Sequence, residues 1–304
     1  MKDDEYGPGS LEGVQARAAT VGAALFEAAN ILRRAGDVNP RLTSELLLGH
    51  ILGWSRVRVL SSLAEAVPPG SSRRFFAVIA RRAAGEPLPY IIQKQEFYGL
   101  AFVVSPGVLI PRPETEQLVE QAARLAARGH RETLWFVDVG TGSGCIAVAL
   151  ARQLESSRGW ATDISRTALD VARRNAAFHD VGKRVEFVRA NLLECFRPGP
   201  RFDMVLANLP YLPSRDSGVI EPSVRDYEPH EALFAGPTGM ECYAQLVPQA
   251  RCVLCSGGHL LLEMDPAQAD PLRRLLEGSG FAIEAILNDL RGWPRCIVAR
   301  RRDG

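Results

Sequence analysis

The sequence predicts an α/β fold: a doubly wound, mostly parallel seven-stranded sheet, with a small N-terminal helical domain and a β-hairpin linker before it. Three observations carry that expectation. From residue 133 onward, short apolar runs alternate with segments of helical period, as expected for strands joined by right-handed crossover helices. The first of those runs, Leu134 to Val139, leads straight into Gly140-Thr141-Gly142-Ser143-Gly144 and then a helix. The stretch before Glu86 shows helical periodicity alone.

Taken in chain order, the apolar positions Val14, Ala18, Val21, Leu25, Ala28, Ala29 and Leu32 recur at helical spacing over 11–36, and Gly36 provides the stop. Pro40 precedes a second helix ending near Gly53, and a third short helix covers 55–63. After the punctuation Pro68-Pro69-Gly70, a fourth helix carries Phe75, Phe76, Val78 and Ile79 and stops at Gly85. Residues 1–85 are therefore expected to form an all-helical domain. Residues 86–112 turn β-rich: Tyr90-Ile91-Ile92, Glu96-Phe97-Tyr98 and Ala101 to Val104 read as short strands, with Gly99 making a turn. Pro111 and Pro113 bracket Arg112, and Glu114 and Glu116 open a helix to about Ala127. Proline and acids are both favoured in a first turn.

The remaining domain spans 113–304. Strands are expected at 133–139, 158–162, 184–189, 202–207, 258–263, 281–287 and 294–300, and helices at 144–154, 165–178, 238–254 and 267–278. The last two strands, joined by the 288–293 loop, are candidates for an antiparallel edge.

Composition sets the outer limits. The 304 residues are 46% apolar and 23% charged, enough for a sizeable core and against wholesale disorder. A formal charge of +1 argues against a protein whose main task is coating nucleic acid. No apolar run approaches the length of a membrane span, and the polar N-terminus does not read as a secretory signal. Free thiols in a reducing cytoplasm are the expectation for the six cysteines, and a monomer is expected separately. Cys252 and Cys255 have CxxC spacing without a second ligand pair, so they read as buried helix cysteines and no metal is expected.

The chemistry-bearing residues sit where expected strands end. Glycines at 140, 142 and 144 let the backbone turn sharply and approach a ligand, while the helix that follows offers free N–H groups. The GxGxG spacing differs from the dinucleotide and phosphate-cradling patterns, and no lysine sits nearby. Asp138 before the turn would repel a pyrophosphate but suits a cationic amino-acid end. About twenty residues on, Asp163 ends a strand and is placed to take ribose hydroxyls. The competing reading is that it only caps the helix at Ser165. Asn191 is a candidate for an adenine amino group, with Leu192 packing on the ring.

The fourth expected strand ends in Asn208-Leu209-Pro210-Tyr211. A planar amide or exocyclic amine is a poor nucleophile because its lone pair is delocalised. To attack a sulfonium methyl it must be held with its N–H groups committed to acceptors. The Asn208 side-chain carbonyl and the Leu209 backbone carbonyl could accept them, with Tyr211 as a stacking face. An Asx-type turn with a buried tyrosine is the competing reading.

Together these residues resemble the S-adenosylmethionine-dependent methyltransferases of Rossmann-like fold. More narrowly, the chain resembles the peptide chain release factor N5-glutamine methyltransferases. Gly85-Glu86-Pro87-Leu88-Pro89-Tyr90-Ile91, Glu96-Phe97-Tyr98-Gly99-Leu100 and Val108 to Glu116, with its Ile-Pro-Arg-Pro-Glu-Thr-Glu, are similar to that family's hairpin and following helix. Val224-Arg225-Asp226-Tyr227-Glu228-Pro229, with Ala232-Leu233 and Gly236, is similar to its loop after the acceptor motif.

The resemblance implies a release-factor-binding helical domain and a soluble enzyme of translation termination. It implies that Asp138, Gly140 to Gly144, Asp163, Asn191, Leu192 and Asn208 hold S-adenosylmethionine, released as S-adenosylhomocysteine. Asn208, Leu209, Pro210 and Tyr211 would hold the glutamine of a Gly-Gly-Gln tip. Stable binding to nucleic acid or membrane is not implied. Two positions depart from the pattern: Leu209 replaces the first proline of Asn-Pro-Pro-Tyr, and Asn191 stands where Asp is commoner. Asn-Leu-Pro-Tyr is also the pattern of rRNA adenine dimethyltransferases, which lack the Ile-Pro-Arg-Pro-Glu-Thr-Glu segment. The residues leave room too for a ribosomal-protein glutamine methyltransferase, and for a binding module without turnover.

Overall fold

The computed structural model describes residues 20–129 and 132–303. The chain divides after Ile92 into two compact units. Of the first expected helix, Val14 and Ala18 lie outside the described residues.

The first unit holds helices Val21–Arg34, Pro40–Leu52, Arg56–Ser61, Ser71–Ala83 and Leu88–Ile92. Its boundaries follow local chemistry. The Thr20 hydroxyl accepts from Ala23 N at 3.2 Å, the Ser55 hydroxyl caps the third helix, and left-handed Gly53 closes the second. Leu25, Leu32, Leu47, Leu48, Phe75, Phe76 and Ile79 fill the core between them. The expected strand at Tyr90-Ile91-Ile92 is instead one helical turn. Its amides from Tyr90 and Ile91 donate to the Pro87 carbonyl at 3.0 and 3.3 Å, and Ile91 packs into the helical core. Burial in that core overrides the β-propensity of Tyr-Ile-Ile.

The second unit opens with a hairpin, β1 (Lys94–Phe97) and β2 (Leu100–Val103). Tyr98 and Gly99 both take positive φ, 53° and 68°, as a two-residue turn requires. Phe97 and Phe102 are buried edge to face, with centroids 6.0 Å apart. Asn175 pins the hairpin: it accepts from Val103 N at 2.7 Å and donates to the Val103 and Ser143 carbonyls at 3.0 and 2.8 Å. A short 3-10 turn, Pro113–Thr115, leads into helix Glu116–Arg128.

The main sheet contains β3 (Leu134–Val139), β4 (Ser157–Asp163), β5 (Val185–Arg189) and β6 (Phe202–Ala207). A two-residue strand, β7 (Leu212–Pro213), and a three-residue one, β8 (Phe234–Gly236), pair with each other apart from it. The main sheet is completed by β9 (Leu254–Glu263), β10 (Phe281–Asn288) and β11 (Pro294–Arg301). Its order is β10-β11-β9-β6-β3-β4-β5. Pairs β3–β4, β4–β5, β3–β6 and β6–β9 are parallel, and β10–β11 and β11–β9 are antiparallel, so the expected antiparallel edge is present. Helices Cys145–Gln153, Arg166–Phe178, Glu241–Val253 and Ala269–Gly278 make the crossovers.

Strand order reverses its progress between β3 and β6, which places a topological switch point there. Register does the rest. Val139 pairs with Thr162 on one side and Ala207 on the other, and Ala207 pairs with Leu262. Asp163, Gly140, Asn208 and Glu263 therefore leave the sheet side by side at its carboxyl edge.

Cys252 is exposed near the end of its helix and Cys255 begins β9, so they are not a pair of buried helix cysteines. Among the described residues, no helix is long and apolar enough to cross a membrane.

Candidate active site

The glycine-rich turn is held from both sides. Gly140 N and Thr141 N each donate to the Thr162 carbonyl at 2.9 Å, and Gly142 N donates to Asp163 Oδ2 at 2.9 Å. Gly140, Gly142 and Gly144 all have positive φ. At Gly140 a Cβ would lie 2.9 Å from Leu209 Cδ2, and at Gly144 one would lie 3.0 Å from Ala172 Cβ. Gly140 is thus required by the neighbouring strand end, and Gly144 by helix packing.

Asp138 lies under the turn rather than on a cavity wall. Its Oδ2 accepts from Thr141 Oγ1 at 2.6 Å and Ala147 N at 3.2 Å. Its Oδ1, like Thr162 Oγ1, is buried with no hydrogen-bond partner among the described residues. Burial pushes the Asp138 carboxyl up to about 7 against those two hydrogen bonds. Asp163 Oδ1 accepts from Ser165 N at 2.9 Å, but the helix cap itself is the Ser165 hydroxyl, which accepts from Ala168 N. Burial raises the Asp163 pKa, opposed by its backbone donors.

A cavity of about 320 Å³ opens above this edge, walled by Gly140, Gly142, Asp163, Asn191, Leu192 and Asn208 among others. Leu192 holds a left-handed φ of 51°, an uncommon conformation for a branched side chain, and reaches this wall. Asn191 donates from Nδ2 to Glu194 Oε1 at 2.8 Å. A second cavity of about 140 Å³ adjoins it, lined by Arg112, Asn208, Leu209, Tyr211 and Glu263. Asn208 and Leu209 border both. A larger space of about 460 Å³ meets the opposite ends of the strands, at Leu134, Asp203 and Gly258. Ligands of open α/β sheets bind at the carboxyl ends, so the paired cavities are the candidate site.

The smaller cavity is built by groups from distant parts of the chain. Asn208 Nδ2 donates to Thr115 Oγ1 at 3.0 Å, and Thr115 Oγ1 donates to Glu263 Oε2 at 2.6 Å. Glu228, buried, accepts from Ile110 N at 3.1 Å and pairs with Arg112. Gln268 Nε2 holds the Tyr211 carbonyl at 2.8 Å and the Gly239 carbonyl at 2.9 Å. These bonds fix the Asn208–Tyr211 turn and strap the 108–112 segment beside it.

Comparison with known proteins decides the family. Residues 23–92 match the model of the PrmC N-terminal domain, and residues 136–222 match a methyltransferase domain. The chain is 41% identical over 272 residues to a release factor glutamine methyltransferase of Koribacter versatilis, covering 89% of this chain and 94% of that protein. It is 40% identical to another from Moorella thermoacetica, covering 93% and 99%. The chain belongs to the release factor glutamine methyltransferases. Among solved structures, a methyltransferase from Pyrococcus furiosus shares the fold, with 16% identity, a TM-score of 0.51 and coverage of 76% of this chain and all of that one.

Within this member of the family, the structure distributes the residues that the sequence points to unevenly. Gly140, Gly142, Asp163, Asn191, Leu192 and Asn208 meet at the larger cavity. Thr141 and Ser143 border a small recess of about 30 Å³ beside it. Asp138 lies below the turn, and Gly144 packs on Ala172. The Leu209 side chain is buried against Gly140, which is what this chain has in place of the family's proline. Thr115, Glu228 and Glu263 join the site although the sequence reading does not place them there. Glu263 carries a usable signal: like Asp163, it is an acid ending an apolar strand.

Proposed function

We propose that this chain uses S-adenosylmethionine to methylate the side-chain amide nitrogen, N5, of the glutamine in the Gly-Gly-Gln tip of a peptide chain release factor. The observation that carries this reading is Asn208 standing on the shared wall of the two cavities with its amide nitrogen already engaged by Thr115.

The residues suit the cofactor. Asp163 and the Gly140–Gly142 backbone wall the larger cavity, where a ribose carboxylate and a side-chain-free turn are needed. Asp138, buried behind the turn and not on the cavity wall, has an Oδ1 with no hydrogen-bond partner among the described residues, which favours a cationic amino-acid end over a phosphate at that loop. Asn191, with Nδ2 on Glu194, keeps its carbonyl oxygen for the adenine amine, and Leu192 packs on the ring. Bound there, S-adenosylmethionine would supply an electrophilic methyl; the methyl–sulfur bonding pair would stay on sulfur, giving S-adenosylhomocysteine, and the proton released from the amide nitrogen would pass to solvent.

Asn208 Oδ1 accepts one N–H of the substrate amide, and the Leu209 carbonyl accepts the other. Both hold the nitrogen in place and favour the cationic character that develops on it. Tyr211 covers the planar group. A cavity of about 140 Å³ has room for a side-chain amide. A glutamine side chain presents five heavy atoms beyond Cα. The helical unit matched by the PrmC N-terminal model supplies the remote contacts that select a folded protein over a free amino acid. The enzyme acts as a cytoplasmic monomer.

The test is mass spectrometry of a purified release factor incubated with this protein and S-adenosylmethionine. A single added methyl on the Gly-Gly-Gln glutamine is expected. An unmodified glutamine, with cofactor binding intact, would overturn the substrate assignment and direct the search to other glutamines and rRNA adenines.

A further inference from the structure

We infer that Thr115 and Glu263 are positioning residues for methyl transfer, setting which end of the Asn208 amide faces the acceptor cavity. This rests on the reading of Asn208 as the acceptor clamp. An asparagine amide has two nearly isosteric ends, and only one of them is useful here. If Nδ2 faced the substrate amide, two N–H donors would meet in a buried site and neither would be satisfied.

The polarity is set two residues away. A threonine hydroxyl carries one proton. Here it goes to Glu263 Oε2 at 2.6 Å, the length of a charge-assisted bond from hydroxyl to carboxylate. Thr115 Oγ1 is left with lone pairs alone, so its bond to Asn208 at 3.0 Å requires the amide N–H as donor. Asn208 Oδ1 is thereby turned the other way. Thr115 and Glu263 are each 2% exposed, so bulk water does not replace either partner. The relay exists because Ala207 and Leu262 are in register, which sets Glu263 beside Asn208, while the 3-10 turn at Pro113–Thr115 delivers the hydroxyl.

The chain of donors also predicts an asymmetry. Glu263→Gln preserves size but removes the charge that holds the Thr115 proton, and its amide can turn either an N–H or its C=O to Thr115 Oγ1, so the proton is no longer fixed on that side. The hydroxyl proton is then free to turn to Asn208 Oδ1 and reverse the amide. A purely structural carboxylate would tolerate that substitution.

The experiment compares Thr115→Val, Thr115→Ser and Glu263→Gln with wild type. It measures kcat and KM on a release factor, the S-adenosylhomocysteine dissociation constant, the melting temperature, and the Asn208 side-chain ¹⁵N–¹H resonance, assigned by its loss in Asn208→Asp. Thr115→Val and Glu263→Gln should each lower kcat by roughly ten- to a hundredfold, the equivalent of one mispaired buried polar group. Cofactor affinity should stay within error, and the Asn208 resonance should move. Thr115→Ser should restore most of the turnover and the resonance position. Wild-type kcat in Glu263→Gln, or Thr115→Ser as impaired as Thr115→Val, overturns the relay. If Thr115→Val fails to fold, the serine and glutamine variants decide alone. Asn208→Ala run alongside separates the two levels: full activity there refutes the clamp itself, whereas an inactive Asn208→Ala beside a fully active Glu263→Gln refutes only the relay.

Discussion

Asn208 and Glu263 stand next to each other at the carboxyl edge of the sheet, and Thr115 joins their side chains through bonds of 3.0 and 2.6 Å. They are adjacent because β6 and β9 are parallel neighbours with Ala207 opposite Leu262. The same logic holds one strand over. Val139 opposite Thr162 sets Gly140 beside Asp163, and Gly142 N closes on that carboxylate at 2.9 Å. One half of the row thus shapes the larger cavity, proposed above for the cofactor, and the other half the smaller one, proposed for the acceptor amide, with Gly140 and Asn208 meeting at the switch point.

That division predicts separable losses. Asn208→Ala should lower turnover far more than cofactor affinity, because the partner proposed for its carbonyl is the substrate amide. Asp163→Ala should mainly weaken cofactor binding, since it removes both a wall of the cavity and the acceptor for Gly142 N. Calorimetry with S-adenosylhomocysteine alongside steady-state kinetics checks the pair. Equal losses of both quantities in Asn208→Ala would remove its role as a clamp.

Leu209 allows a test of the family's missing proline. Its side chain is 3% exposed and packs where a Cβ on Gly140 would fall, 2.9 Å from its Cδ2. Leu209→Pro keeps the backbone carbonyl and fixes φ, so turnover should be equal or higher. The lost methyls should cost about 1–3 kcal/mol of stability. Gly140→Ala, strained at φ 69° and colliding with Leu209, should abolish cofactor binding. A clear fall in kcat for Leu209→Pro would mean that the turn is shaped around leucine.

Much of this was legible in the sequence, for a physical reason. The central strands β3 and β6 are buried on both faces over most of their length and read as apolar runs, and the turns at the carboxyl edge of the sheet are where ligands meet an open α/β fold. Gly140, Asp163 and Asn208 are found by that rule. Tyr90-Ile91-Ile92 reads as a strand yet forms a helical turn because tertiary burial, not local propensity, decides a five-residue segment. The relay was not legible. Thr115, Asn208 and Glu263 are brought together by strand order and register, which no local pattern encodes. Cys252 and Cys255 look paired in sequence, yet a helix ends and a strand begins between them.

Glu228 predicts a different kind of defect. It is 3% exposed and accepts from Ile110 N while pairing with Arg112, so it straps the 108–112 segment beside the acceptor cavity. Glu228→Ala leaves the Ile110 N–H without its acceptor, a loss of about 1–3 kcal/mol. Melting temperature should fall, and KM for the release factor should rise more than kcat falls. Wild-type KM in a folded variant would show that the strap has no part in shaping the acceptor side.

The acidity of Glu263 gives activity and stability opposite pH dependences. Burial pushes its carboxyl up to about 7 from the ordinary 4.5, opposed by the Thr115 hydroxyl and by Arg295 and Arg112. Around it also stand Glu114, Tyr211, Tyr243, Cys145 and Cys296. Protonated Glu263 can donate to Thr115 Oγ1 and reverse the amide, so kcat should fall as pH drops through about 7. Stability runs the other way. A carboxyl whose folded pKa is raised stabilises the fold fully below 4.5, and that contribution is lost as pH rises through about 7. At pH 8 the buried carboxylate costs on the order of 3 kcal/mol relative to its protonated form. Glu263→Gln should therefore raise the melting temperature more at pH 8 than at pH 5. Asp138, raised in the same sense to about 7, keeps some of that slope in the variant. The same substitution should flatten the acidic limb of the kcat profile at a lower plateau. A variant that stabilises equally at both pH values, or keeps the wild-type acidic limb, would show that another group titrates.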